Sequence, residues 1–204
     1  MKGEIYLRII EVFTDGGVFK KEKLSVSIGL IFVDKEKVMT CEKLNFNKES
    51  DFAELFAINK ILSRAYGYCK QKEYLDDEYI IKVYTDSLTS ISSINSEVIL
   101  SNNERRVQLL NEIKDTINKF DNHVEFYHIK SHISGKNLKI AHKMFCKMNN
   151  VDISFNDFLF IAQQNQKCDN LVARAFKKYH KQKKIEAKKR LQLTEEDLDV
   201  LCEN

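Results

Sequence analysis

The chain has 204 residues, 43% hydrophobic and 31% charged, which excludes a disordered polymer and suits one folded domain of ordinary size with additions. Its early apolar run, Ile28–Val33, is far too short to cross a bilayer, and Glu4, Arg8 and Glu11 interrupt the N-terminal segment where a signal peptide would be apolar, so a cytoplasmic protein without membrane contact is expected. Net charge is +3, yet residues 174–190 hold nine Lys/Arg against Glu186 and residues 191–204 hold five acids and no base, leaving 1–173 neutral; charge alone does not announce nucleic-acid binding there.

Three extended segments open the chain, about 4–14, 24–33 and 37–46, each rich in Ile, Val, Phe and Leu and bounded by turn-forming residues. Asp34-Lys35-Glu36-Lys37 suits an antiparallel hairpin between the second and third. A helix is expected over about 50–70, where Phe52, Leu55, Phe56, Ile58, Leu62 and Ala65 share a face. Residues 79–85 read as a buried parallel strand, followed by a short helix from Leu88 and a longer one over about 103–120. Val124–Ile129 forms a fifth strand, and the remainder is helical to near residue 190. This order predicts an α/β fold: a mixed five-stranded sheet, three antiparallel then two parallel strands, with helices on both faces. Neither proline nor an internal repeat nor a flexible linker divides the chain. The five cysteines (Cys41, Cys69, Cys146, Cys168, Cys202) are odd in number and form no Cys-x-x-Cys pair, so they read as small buried thiols rather than a zinc site or disulfide framework.

Chemistry enters at the strand ends. The first strand runs into Thr14-Asp15-Gly16-Gly17 and the fourth into Thr85-Asp86-Ser87, each expected to deliver a carboxylate where the chain turns. In this topology the two strands are parallel neighbours, which sets Asp15 beside Asp86. Glu54 stands at the edge of the apolar face in the first turns of its helix, and Asp169 is expected near a helix start. Singly, such acids are ordinary caps and turn formers. Together they repel by about 4 kcal/mol per pair at 4 Å and an effective dielectric of 20, so their convergence calls for protons or divalent cations. Oxygen-only ligands favour hard ions such as Mg²⁺ or Mn²⁺, and a pair of them suits phosphodiester hydrolysis.

Thr14-Asp15-Gly16, Ala53-Glu54-Leu55, Tyr84-Thr85-Asp86-Ser87, His128-Ile129-Lys130-Ser131-His132 and Asn165-x-x-Cys168-Asp169-x-Leu171-x-Ala173 resemble, in order, the motifs of the type 1 ribonuclease H family, with Gly29 where the family enters its second strand. The resemblance implies a ribonuclease H-like fold and an endonuclease that cuts the RNA strand of RNA–DNA hybrids by two Mg²⁺ ions, Mn²⁺ substituting, leaving 3′-hydroxyl and 5′-phosphate ends. It implies that Asp15, Glu54, Asp86 and Asp169 hold metal, that His132 assists proton transfer or product departure, and that Gly16, Ser50, Ser87, Lys130 and Asn165 meet the substrate. It suggests a monomer without a protein partner. The competing readings are a non-catalytic nucleic-acid-binding module and a DNA-directed nuclease of the same broad fold.

The chain departs from the family pattern in several places. His128 and Ser131 replace a tryptophan and a glycine, Gln166 a glutamate, and Ser50 an asparagine. The stretch from His132 to Asp169 is unusually long. This places a ribonuclease H domain at 1–180 with a helical insert at about 133–164, and a basic then acidic helical tail at 181–204. The insert begins with a basic helix (136–148) and continues through a capping signal at Ser154–Asp157. Either Lys136, Lys139, Lys143 and Lys147 hold nucleic acid, or the insert is a decoration packed by Phe145, Phe155 and Phe158. The relatives' basic handle has no clear equivalent, though Arg105, Arg106 and Lys114 could partly replace it. The basic segment 174–190 is open to two readings, phosphate contact or a solvated helix face.

Overall fold

The computed structural model describes residues 7–45, 49–76, 78–99, 101–133 and 137–202, with side chains as far as residue 187 except that of Asp76. The chain divides into two units, Met1–Val172 and Ala173–Asn204. In the first, β1 (Arg8–Phe19), β2 (Leu24–Val33) and β3 (Glu36–Asn45) form an antiparallel meander, and β4 (Tyr79–Thr85) and β5 (Val124–His128) add in parallel. The strand order is β3-β2-β1-β4-β5, as the sequence predicts. The helices are α1 (Ser50–Gln71), α2 (Leu88–Asn95), α3 (Glu104–Asn118), α4 (Leu138–Asn149) and α5 (Phe155–Cys202).

Local chemistry sets the joints. Asp34 and Lys35 both lie in the left-handed region, with φ of 49° and 67°, which makes the β2–β3 connection a tight two-residue turn matched to strand twist. Ser87 caps α2 by accepting the Ser90 N–H at 3.3 Å, and Asn103 caps α3 by accepting that of Arg106 at 3.2 Å.

One face of the sheet is aliphatic. Ile10, Val12, Ile31, Ile81 and Val83 pack against Leu55, Ile58, Ile61 and Leu62 of α1 and Leu109, Leu110 and Ile113 of α3. Two small residues let α1 sit close. The Ser27 hydroxyl donates to the Ala53 carbonyl at 2.9 Å. A Cβ on Gly29 would come within 2.6 Å of the Ile61 side chain, so glycine is required there for packing rather than for φ.

The other face is aromatic. Phe13 stacks on Tyr84 at 4.9 Å, and Phe160 of α5 meets Phe13 and Phe32 edge-on at 6.0 and 5.3 Å. Tyr127 stacks on Tyr84 at 5.3 Å, Phe145 of α4 lies 6.4 Å from each, and Phe158 lies 5.6 Å from Phe145. Residues of the insert therefore pack on β1, β2, β4 and β5 from this side. Phe158 is fully buried and Phe145 nearly so, which is the packing that the second reading of the insert expects of these rings.

Two expectations are corrected. The first strand does not turn at Asp15: β1 continues to Phe19, because β2 pairs with it residue by residue through Gly16↔Ser27 and Gly17↔Val26 to Phe19↔Leu24. What ends near Asp15 is the parallel partner, since β1–β4 pairing stops at Phe13↔Tyr84. Nor does Asp169 stand near a helix start. α5 begins at Phe155, where Ser154 accepts the Asp157 N–H at 3.1 Å, and runs through Asp169 unbroken. Fourteen residues of helix precede Asp169 because their Phe and Ile side chains have the sheet to bury against.

In the second unit the helix continues to Cys202, with Tyr179 beside His180 and beneath the Lys183 ammonium at 5.1 Å. Lys136 and the side chains of the acidic end lie outside the described residues. Among the described residues, no helix is long and apolar enough to cross a membrane.

Candidate active site

Asp15 lies on β1 two residues past its last pairing with β4, and Asp86 follows β4 directly, so the parallel register carries the two carboxyls side by side. Strand alternation puts Asp15 on the same face as Glu11 and Phe13, the face that α5 covers. From α5, Asp169 completes a triad. One carboxylate oxygen from each of Asp15, Asp86 and Asp169 lies within 4.8 Å of the others, and all three residues are partly buried.

Glu54 reaches the triad's neighbourhood through a glycine. A Cβ on Gly16 would sit 2.5 Å from the Ala53 carbonyl carbon and from the Glu54 nitrogen, so a side chain there would push α1 off the strand. With glycine, the first turns of α1 press against β1. Glu54 is 8% exposed, and its Oε2 has no hydrogen-bond partner. It is not one of the three mutually close acids, but its charge is felt with theirs.

The electrostatics record this crowding. Burial, then the charges of Asp86 and Asp169, raise Asp15 to about 7. Burial followed by Asp15 and Asp86 raises Glu54 well above the carboxylate range, against the opposing Gly16 N–H. Asp86 is raised by burial and partly relieved by His128, His132 and the Ser131 hydroxyl. Asp169 is raised by burial and Asp86 and relieved in part by His132. Four acids that resist ionisation together, offering only oxygen and including one unpartnered buried carboxylate oxygen, have the donor chemistry of a site for hard divalent cations.

The remaining expected residues fall at varied distances from this centre. His132 is 80% exposed on its loop, in the left-handed region at φ 53°, with Nδ1 3.5 Å from Asp169 Oδ2. Gln166 donates to that same oxygen at 3.3 Å. Asn165 is 4% exposed, its Oδ1 unpartnered, and it lines a cavity of about 220 Å³ with Lys130, His132 and Gln166. Lys130 is exposed, and Ser50 is exposed at the start of α1. Ser87 spends its hydroxyl on capping α2. Of the handle substitutes, Arg106 is tied to Asp51 at 3.2 Å and Ser93 at 3.0 Å, and Lys114 donates to the Ser96 carbonyl at 2.6 Å; Arg105 is exposed.

Three further residues, none of them among the expected site residues, contact this centre or its supports. His128 reaches the Asp86 carbonyl with Nε2 at 3.2 Å. Asn149, at the end of α4, accepts the His128 N–H at 2.8 Å and donates to the His128 carbonyl at 2.9 Å, pairing with the outer edge of β5 as a strand would. Ser131 supplies its hydroxyl to Asp86. The histidine in place of an aromatic was a usable signal for a polar partner nearby; nothing marked Asn149, whose role depends on where α4 ends.

The family model of RNase H matches residues 8–177. The structure of LC11 ribonuclease H1, isolated from compost by a metagenomic approach, is similar with a TM-score of 0.51 and 15% identity, covering 69% of this chain and 95% of that one. That of LC11 ribonuclease H1 in complex with an RNA/DNA hybrid is similar with a TM-score of 0.51 and 14% identity, covering 60% and 86%. At such identity these likenesses concern the fold. No curated protein matches the chain.

Proposed function

The chain belongs to the ribonuclease H family of hydrolases, and from that premise we propose that it is an endonuclease hydrolysing the RNA strand of RNA–DNA hybrids with two Mg²⁺ ions. The observation that carries this reading is the convergence of Asp15, Asp86 and Asp169 within 4.8 Å beside buried Glu54. The hybrid bound to a protein of similar fold supports the choice of substrate.

In this reading Asp15 and Asp86 would hold the ion that serves the attacking water, and Asp15, Glu54 and Asp169 would hold the one that serves the leaving oxygen. Bound divalent ions supply charge neutralisation at the phosphate and lower the pKa of water. The chain's own residues do the rest. His128 and Ser131 hold Asp86 in place, Gln166 orients Asp169, and the Gly16 N–H supports Glu54. His132, exposed and close to Asp169, is placed to hand a proton to the departing 3′-oxygen, after which the 5′-phosphate end leaves. Recognition of backbone and 2′-hydroxyls implies little sequence preference.

The test is cleavage of labelled hybrid, duplex DNA and duplex RNA with Mg²⁺, beside Asp86→Asn. Hybrid cleavage by the wild type and a loss of at least about 10³-fold in the variant, with hybrid still bound, are expected. Cleavage of DNA alone would reassign the substrate. Retained cleavage in the variant would mean the acids do not form the reaction centre.

A further inference from the structure

The insert between β5 and Asp169 carries a feature that the hydrolytic site does not use. α4 buries Phe145 and half-buries Ala141, His142 and Asn149 toward the sheet and α5, and leaves two adjacent rows outside. One row is Lys139, Lys143 and Lys147, all exposed. The other is Ile140, Met144 and Met148, exposed by 61%, 46% and 50%. Spacing of four residues sets successive members of each row about 6 Å apart along the axis. An ordinary solvated helix face mixes acids with bases and does not leave three large apolar side chains in register. α4 contains no acid.

The apolar row forms one wall of a groove of about 610 Å³, whose opposite wall is Ile129, Lys130 and His132. No acidic side chain lines it among the described residues. Two residues that line the groove also touch the acid cluster: His128 reaches the Asp86 carbonyl, and His132 lies 3.5 Å from Asp169. A strand whose phosphate occupies the acids therefore has this groove as a neighbour. Two of the three candidate handle residues, Arg106 and Lys114, are by contrast engaged with the protein's own groups.

We propose that the outer face of α4 is a second hybrid-binding surface, with Lys139, Lys143 and Lys147 on the phosphates of one strand and Ile140, Met144 and Met148 against its sugars and base edges. It rests on the hybrid as substrate and extends the site rather than restating it. Lysines supply salt-dependent, sequence-independent affinity, and flexible apolar side chains fit the less polar groove surface between phosphates. Asn149 then has a double effect, since it ties the base of this arm to His128 and so to Asp86.

The experiment measures hybrid affinity against salt in an Asp86→Asn background, where binding is read without cleavage. Replacing Lys139, Lys143 and Lys147 with Ala is expected to make the slope of log K against log salt shallower by about 2, at about 0.7–0.9 per phosphate contact. A matched triple at Lys37, Lys43 and Lys70, on the far sheet edge and the end of α1, is expected to leave it unchanged. Met144→Ser with Met148→Ser should weaken binding several-fold at an unaltered slope. Circular dichroism and thermal melting confirm that each variant is folded.

An unchanged slope in the α4 triple, with the wild type cleaving hybrid, would overturn this surface while leaving the proposed function intact. If wild type cleaves no hybrid, the proposed function fails by its own test, and the slope still decides whether α4 binds nucleic acid. Concentration-dependent dimerisation abolished by Met144→Ser, without change in slope, would assign the face to a second copy of the chain and overturn the proposal.

Discussion

The two faces of the sheet use the same five strands and are built from different materials. The α1–α3 face is closed mainly by Ile, Leu and Val, with Phe120 and Tyr79 among them, and α1 brings buried Glu54 to its end. The α4–α5 face is closed by rings and holds the difficult groups: Glu11, 7% exposed beneath the start of α5, and the acid triad beyond it. Aliphatic side chains fill a helix–sheet layer in standard rotamers. Rings set polar edges and phenol hydroxyls next to charge while still excluding water. The three close acids lie partly buried beside this aromatic face.

That contrast can be broken first by truncation. Phe158→Ala and Ile58→Ala each remove a fully buried side chain, one per face, and each is expected to cost about 3–5 kcal/mol in denaturant unfolding. They should part company in activity measured well below the melting range. Phe158 shares α5 with Asp169 and packs on Phe145 of α4, so its loss should lower kcat at least about tenfold, whereas Ile58→Ala should leave kcat within about twofold. Equal kcat values would mean that the aromatic face is only a core.

Asn149→Ala probes the join between insert and site with a smaller effect. It leaves the His128 N–H and carbonyl without their partners, at a cost of about 1–3 kcal/mol. If the join positions Asp86, the Mg²⁺ concentration needed for half-maximal cleavage should rise several-fold, which a purely structural loss would not cause.

A further test is pH. Burial raises Glu11 from 4.5 to about 7, against Lys35 and Lys82, and Asp15 from 3.8 to about 7. Both folded values exceed the unfolded ones, so the native state binds protons more tightly. This contribution to stability is full below about pH 4 and is lost as pH rises to about 7. Metal-free protein should therefore lose melting temperature across that window. Glu11→Gln should flatten the loss whether or not Mg²⁺ is present; saturating Mg²⁺, which favours ionised Asp15, should flatten what remains. A melting temperature that rises with pH over this range would contradict both assignments.

Legibility from sequence divides along the same line. Strand order and the α1–α3 face could be read because period-2 and period-3.6 patterns report burial against a single aliphatic layer. Asp15, Glu54, Asp86 and Asp169 could be named because each sits in a short motif. The extent of β1 beyond Asp15 could not be read, since Gly16 and Gly17 look like a turn until β2 is present to pair with them. The unbroken α5 was equally hidden: a capping signal at Ser154 marks where a helix starts, while its passage through Asp169 depends on having Phe13 and Phe32 to bury against.

The sequence by itself determined which chemistry is present: the acids, their order, the elements that bear them and the alternation that aims them. Tertiary structure alone decided how close they come and what surrounds them. Gly16 matters because the α1 backbone occupies the place of its missing Cβ, and Asn149 because α4 ends beside β5. Proximity between segments far apart in the chain is fixed by packing and by pairing across elements, and local patterns of residues carry no record of either.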